Sequence, residues 1–255
     1  MTFNLRCDFI LDVNDRWDKR KNMIYHIMKD YKCDIIGAQE VKENMFRDIK
    51  NNVEEYNIIG DSRSRKVSSE RNNILISKKH IIHEYKTFWL SEKQNKIGSR
   101  KWYSIFPRIC TMVVVEFDNN KKVRICNTHL DCFFSKAREY GLRKIMQIIE
   151  EEQDKENLPI ILMGDFNATP NSKLIKDFEK GKFSKKKLVA VQDINKDLYN
   201  QVTRDKFKRK QKGVHIDYIF VSEEIEVISV DIIKYNINGK YPSDHYPLMA
   251  DIKIK

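Results

Sequence analysis

Apolar positions along this chain of 255 residues gather in short runs separated by polar turns. Seven runs have the length and β-branched character of buried strands: residues 34–37, 73–77, 109–117, 123–128, 160–163, 216–221 and 248–254. Two segments instead repeat at helical spacing, Ile24, Ile27, Met28 and Tyr31 in one and Leu142, Ile145, Met146 and Ile149 in the other. Spacing of i, i+3, i+4 and i+7 lays one apolar stripe along each helix, so at least two helices cover a sheet. No internal repeat, linker or composition break interrupts the pattern, and residues 1–255 read as a single α/β domain. The least regular part, 179–213, is also the most basic, with Lys185, Lys186 and Lys187 and the run from Arg204 to Lys212. It reads as a loop, either a solvated insertion or a basic flap beside a site.

The run at 160–163 ends unusually, at Gly164 followed by Asp165, Phe166 and Asn167. Residues two apart on an extended chain point the same way, so Phe166 turns inward while the carboxylate and the amide face out together. Polar residues collect at the ends of other runs too: Asn4, Glu40, His129, Asp217 and the pair Asp244–His245. Singly, each is explained by a turn, a helix cap or a satisfied histidine. Together, carboxylates and amides without a cysteine cluster make a hard-oxygen site suited to Mg²⁺, with Mn²⁺ as the alternative, rather than to zinc. Two histidines then supply charge neutralisation and proton handling for phosphoester hydrolysis. Neither a Walker loop, a Gly-x-Gly-x-x-Gly nor a Gly-x-Ser-x-Gly occurs, so nucleotide-driven transfer, dinucleotide binding and serine hydrolysis lack support.

Composition narrows the partners. With 41% hydrophobic and 11% aromatic residues, the chain has material for a full core, and no apolar run reaches the roughly 20 residues that span a bilayer. The start of the chain has no apolar signal core, and five cysteines lack CxxC spacing; these features point to reduced thiols in a cytoplasmic protein without an evident obligate protein partner. A net charge of +11 favours a phosphate-rich partner such as single-stranded nucleic acid. The alternative is lysine spread over the surface by a codon bias toward Lys, Asn and Ile. Arg108 is a candidate phosphate contact or a structural ion pair, and Trp17, Trp89 and Trp102 are candidates to stack a base or sugar or to pack in the core.

The segments Thr2-Phe-Asn-Leu-Arg6, Ile36-Gly-Ala-Gln-Glu-Val41, Asn127-Thr-His-Leu-Asp131, Gly164-Asp-Phe-Asn-Ala-Thr-Pro170, Ile216-Asp-Tyr-Ile-Phe-Val221 and Tyr241-Pro-Ser-Asp-His-Tyr-Pro247 resemble, in order, the motif set of the endonuclease/exonuclease/phosphatase superfamily. The likeness is greatest to its bacterial branch related to the deadenylases and nocturnin. It implies a four-layer sandwich of two mixed β-sheets flanked by helices, with the site at one rim. By that resemblance Glu40 is the principal metal ligand, with Asn4 and Asp244 close to the metal. Asp165 aligns and deprotonates water, and Asn167 holds the water or a phosphoryl oxygen. His245, oriented by Asp217, faces the phosphate; His129 acts at the leaving group or phosphate and is oriented by Glu70, with Asn72 beside the phosphate. Arg6 stands where the abasic-site branch has an acidic residue, which removes one metal ligand and places a cation among the substrate contacts. The implied activity is Mg²⁺-dependent phosphodiester hydrolysis, in the manner of a 3'-5' exonuclease or deadenylase. The alternatives are a phosphatase of a small phosphorylated sugar or lipid headgroup, and a catalytically silent nucleic-acid-binding module.

Overall fold

A computed structural model describes residues 1–118, 120–207 and 213–255. In chain order its elements are β1 (Thr2–Asn4), α1 (Trp17–Asp30), β2 (Ile35–Val41), α2 (Glu43–Asn52), β3 (Tyr56–Ile59), β4 (Arg71–Ser77), β5 (Ile81–Trp89), β6 (Ile109–Glu116), β7 (Lys122–His129), α3 (Ser135–Gln153), β8 (Ile160–Asp165), α4 (Lys173–Glu179), β9 (Val189–Ala190), β10 (Asp217–Val221), β11 (Ile225–Ile232) and β12 (Leu248–Ile254). The strands form two six-stranded mixed sheets, ordered β11-β12-β1-β2-β4-β3 and β5-β6-β7-β8-β10-β9.

Alternation of side chains along the strands sorts them into three apolar layers. Ile161 and Met163 of β8 point into the space between the sheets, with Ile35, Ile74, Ile125 and Ile219, while Ile160 and Leu162 point outward to the Leu142, Ile145 and Ile149 stripe of α3. On the other flank Ile24, Ile27 and Met28 of α1 and Met45 and Ile49 of α2 cover Ile36, Ala38 and Leu75. The order helix, sheet, sheet, helix is the expected four-layer sandwich. Strands buried on both faces read as unbroken apolar runs, which is why the inner ones were visible in the sequence.

Polar cross-links tie the sheets together near one rim. Gln39 Nε2 donates to Asn127 Oδ1 at 2.7 Å, and Asn127 Nδ2 donates to the carbonyls of Ala38 and Asn73 at 3.0 and 2.7 Å. Each is fully buried, and each bond satisfies a group that would otherwise cost 1–3 kcal/mol. The segment 179–213 is more ordered than its composition suggests: it holds β9 and two 3-10 turns, Val191–Ile194 and Lys196–Asn200, with Leu188, Val191, Leu198 and Thr203 buried. The heart of its basic run, residues 208–212, lies outside the described residues. Among the described residues, no helix is long and apolar enough to cross a membrane.

Candidate active site

Strand register brings the polar residues to one rim. β7 runs parallel to β8 with His129 opposite Asp165, and β10 runs antiparallel to β8 with Asp217 opposite the same Asp165. Directly paired residues lie about 4.5–5.5 Å apart, so three neighbouring strands deliver a row of titratable groups. Gly164 permits the approach: its φ is 146°, and a Cβ there would stand 1.9 Å from the Thr128 carbonyl oxygen. From the facing sheet, β1 and β2 are parallel with Asn4 opposite Gln39, and the next residue, Glu40, has left-handed backbone at φ 61° beside a β-bulge. Such a conformation is strained for glutamate, and its Oε2 accepts the Cys7 backbone N–H at 2.9 Å. Asn167 is also left-handed, at φ 48°, where asparagine is tolerated.

Asp165 is the hub. Its Oδ1 accepts the backbone N–H of Asn167 at 2.9 Å and its Oδ2 accepts Asn4 Nδ2 at 3.0 Å. The Nε2 atoms of His129 and His245 stand 3.6 and 3.7 Å from that same Oδ2. His245 Nδ1 bonds Asp217 Oδ2 at 2.9 Å, while the backbone N–H of Asp217 donates to Thr203 Oγ1 at 3.2 Å. Burial and the neighbouring Asp217 raise the Asp165 carboxyl to about 7. Burial works against the His245 cation, yet Asp217, Asp244 and Asp165 outweigh it and lift the imidazole to about 9. His129 goes the other way: burial, together with Arg108 and Arg63, holds it well below the ordinary histidine range. One histidine is therefore a cation and the other neutral at pH 7, a division of roles suited to acid–base work.

The structure rearranges several partners expected from the sequence. Glu70 pairs with Arg63 at 2.8 Å rather than with His129, whose Nδ1 has no hydrogen-bond partner among the described residues; the guanidinium is the stronger partner for a buried carboxylate. Asn4 presents its amide N–H₂ to the carboxylates, bridging Glu40 Oε1 at 3.1 Å and Asp165, and its Oδ1 accepts the backbone N–H of Arg6. It therefore stands at the hub as a donor to both carboxylates. Asn72 is 5% exposed, and its amide donates to the Ile109 carbonyl at 2.9 Å, tying β4 to β6. Arg6 borders the cleft but forms a two-point ion pair with Asp12. Arg108 lines the cleft, and its Nε lies 3.9 Å from Asp131 Oδ2. Asp244 is buried beside Arg204, 3.6 Å away, and its Oδ1 has no hydrogen-bond partner among the described residues.

Glu40, Glu70, His129, Asp165, Asn167 and His245 line a cleft of about 930 Å³ whose walls include Arg63, Arg65, Lys66, Arg100 and Arg204. None of the five was singled out as a site residue from the sequence. The signal for three of them was the basic run Arg63-Ser-Arg-Lys66, four residues before Glu70. Trp17 and Trp89 are buried in the core, whereas Trp102 is 86% exposed.

Two back-to-back sheets carrying a buried Asp–His cluster in a cationic cleft define a hydrolytic phosphoesterase. The chain belongs to the Endonuclease/Exonuclease/phosphatase family, whose profile matches residues 1–245. A solved family member from Bacteroides vulgatus superposes with a TM-score of 0.88 at 27% identity, covering 100% of this chain and 97% of that one. The mannosyl-6-phosphatase Bt3783 of Bacteroides thetaiotaomicron superposes equally well, TM-score 0.88 at 26% identity over 99% and 98% of the two chains. In sequence, the chain is 24% identical to the CCR4-Not complex 3'-5'-exoribonuclease subunit Ccr4 of Candida albicans; the match covers 94% of this chain but 38% of that subunit.

Proposed function

We propose that the protein is a divalent-metal-dependent phosphodiesterase acting at the ends of single-stranded nucleic acid, in the manner of a 3'-5' exonuclease or deadenylase. The observation that carries this reading is the cleft: eight arginine and lysine side chains against three carboxylates line about 930 Å³, far more positive charge than one phosphate monoester requires. Both sheets contribute to it, which supports one catalytic domain over residues 1–255. Five free cysteines support a reducing, cytoplasmic setting.

The donor set fits a hard cation such as Mg²⁺ or Mn²⁺. Against its burial, hydrogen bonds from the Cys7 N–H and Asn4, together with Arg6, hold the Glu40 carboxylate well below its usual range, and it would hold the ion, with Asp244 offering a carboxylate oxygen that has no hydrogen-bond partner among the described residues. When bound, such an ion polarises a phosphate. A second grouping, Asp165, Asp217 and His245, places one ligating atom from each within 4.8 Å of the others. We assign it to proton handling, because His245 already spends Nδ1 on Asp217 and carries positive charge, which repels a cation. Asp165 takes the proton of the attacking water, oriented by Asn4 and Asn167. The His245 cation offsets charge that builds on the phosphoryl oxygens, and neutral His129 serves the leaving group.

The likeness to a mannosyl-6-phosphatase favours a second reading, hydrolysis of a small sugar phosphate. Turnover of poly(A), single-stranded DNA and mannose 6-phosphate, each with Mg²⁺ or Mn²⁺, separates the two. We expect kcat/KM on an oligonucleotide to exceed that on the sugar phosphate by at least about tenfold; the reverse order would replace this proposal with the phosphatase.

A further inference from the structure

One side of the cleft mouth is built from residues that the reaction does not use. The connection from β5 to β6 carries Trp102, Tyr103 and Phe106, and the turn from β7 into α3 carries Phe133 and Phe134. Burying such rings is strongly favourable, yet Trp102 is 86% exposed, Phe133 58%, Phe134 44% and Phe106 41%. They are not scattered. Phe106 and Phe133 both line the cleft, with ring centroids 6.5 Å apart; Phe133 and Phe134 follow at 6.4 Å, and Trp102 stands 5.3 Å from Tyr103.

Two features fix these rings in place. Asp131 Oδ1 accepts the backbone N–H groups of Phe133 and Phe134 at 2.9 and 2.8 Å, and its Oδ2 accepts Ser104 Oγ at 2.8 Å. A single carboxylate thus locks both aromatic segments to each other, next to Arg108. Cations are interleaved with the rings: Arg63 lies 5.0 Å from the Phe106 centroid, and Lys101 and Lys136 lie 5.7 and 5.1 Å from that of Tyr103. Aromatic faces alternating with positive charge, leading away from a phosphoesterase centre, match a strand that has both bases and phosphates. A sugar phosphate is too small to use them, and a duplex keeps its bases stacked inside.

We propose that this rim is a stacking shelf that holds the unpaired bases of a single-stranded nucleic acid while the scissile phosphate lies at Asp165. The inference rests on the nucleic-acid reading of the site and adds where the bases go. Phe106 and Phe133 take those nearest the scissile bond, and Trp102 one further along the strand.

Binding in EDTA, where hydrolysis is suppressed, tests the shelf through the difference between two 12-mers with the same phosphates: one of thymidylate, the other abasic. The wild-type protein should bind the thymidylate 12-mer at least about fivefold more tightly, since each stacked base contributes roughly 1–3 kcal/mol. Trp102→Ala and Phe133→Ala should each erode that ratio. Because Trp17 and Trp89 are buried, the fluorescence of Trp102 should quench on binding the thymidylate strand and not the abasic one. Trp102→Phe should abolish the quenching while keeping most of the affinity ratio. Equal wild-type affinity for the two strands, or a ratio untouched by the alanine variants, would overturn the shelf while leaving an oligonucleotide-hydrolysing enzyme intact. If oligonucleotides are neither bound nor cleaved, the underlying reading fails with it. Binding to anionic phospholipid vesicles that depends on Trp102, with no preference between the 12-mers, would reassign the rim to a membrane surface.

Discussion

At the scale of single residues, the site is a set of ordinary side chains made unusual by backbone and burial. Gly164 illustrates the backbone part: only hydrogen fits 1.9 Å from a carbonyl oxygen at φ 146°. Gly164→Ala should cost at least about 2 kcal/mol in urea unfolding, more than Gly37→Ala, whose new methyl meets the flexible end of Met163 at 2.9 Å. The burial part sets the pH range. Asp165 is a base only as a carboxylate, above about 7, and His245 a cation only below about 9; kcat/KM should rise with pH through the first value and fall through the second. A flat profile from pH 6 to 10 would contradict these roles. Since His245 acts through its bond to Asp217, the double variant His245→Ala/Asp217→Ala should be no slower than His245→Ala alone; multiplicative losses would mean that the two act independently. Which residues gather at the rim was legible in the sequence, because each follows or precedes a strand. Who bonds whom was not: Glu70 goes to Arg63 and Asn4 turns its N–H₂ to two carboxylates, choices set by distances that no spacing encodes.

At the scale of elements, legibility followed position in the sheets. The seven runs read as strands became β2, β4, β6, β7, β8, β10 and β12, all interior, whereas β3, β5, β9 and β11 are the four edges. An edge strand has one ladder of partners and faces solvent: β5 is exposed or half-exposed at seven of nine positions, so its sequence keeps no continuous apolar run. The helix α1 does more than cover a sheet. Its Arg20, 2% exposed, donates to the carbonyls of Asp15, Leu5, Arg6 and Pro242, clamping the chain after β1 to the turn before β12, where Asp244 and His245 sit. Arg20→Leu leaves several buried carbonyls unpaired at roughly 1–3 kcal/mol each; the melting temperature should fall by several degrees, and Mg²⁺-supported activity should fall with it at temperatures below the transition. Unchanged activity would mean that the clamp does not hold the site.

At the scale of the whole molecule, charge and metal are the levers. Glu40→Gln, nearly isosteric, should lower turnover at least about a hundredfold and weaken metal binding as read by calorimetry, and EDTA should abolish activity in the parent protein; survival of activity in EDTA would remove the metal from the mechanism. With a cationic cleft engaging several phosphates, log affinity for an oligonucleotide should fall linearly with log salt at a slope near the number of phosphates contacted, against almost none for an aryl phosphodiester. The topology also has a bearing on folding. β1 is flanked by β2 and by β12, and His245 lies three residues before Leu248, where β12 begins. The sheet around Asn4 and the His245–Asp217 pair therefore form only when segments far apart in the chain have met. Catalytic competence should appear with the last long-range strand pairing, not with local structure.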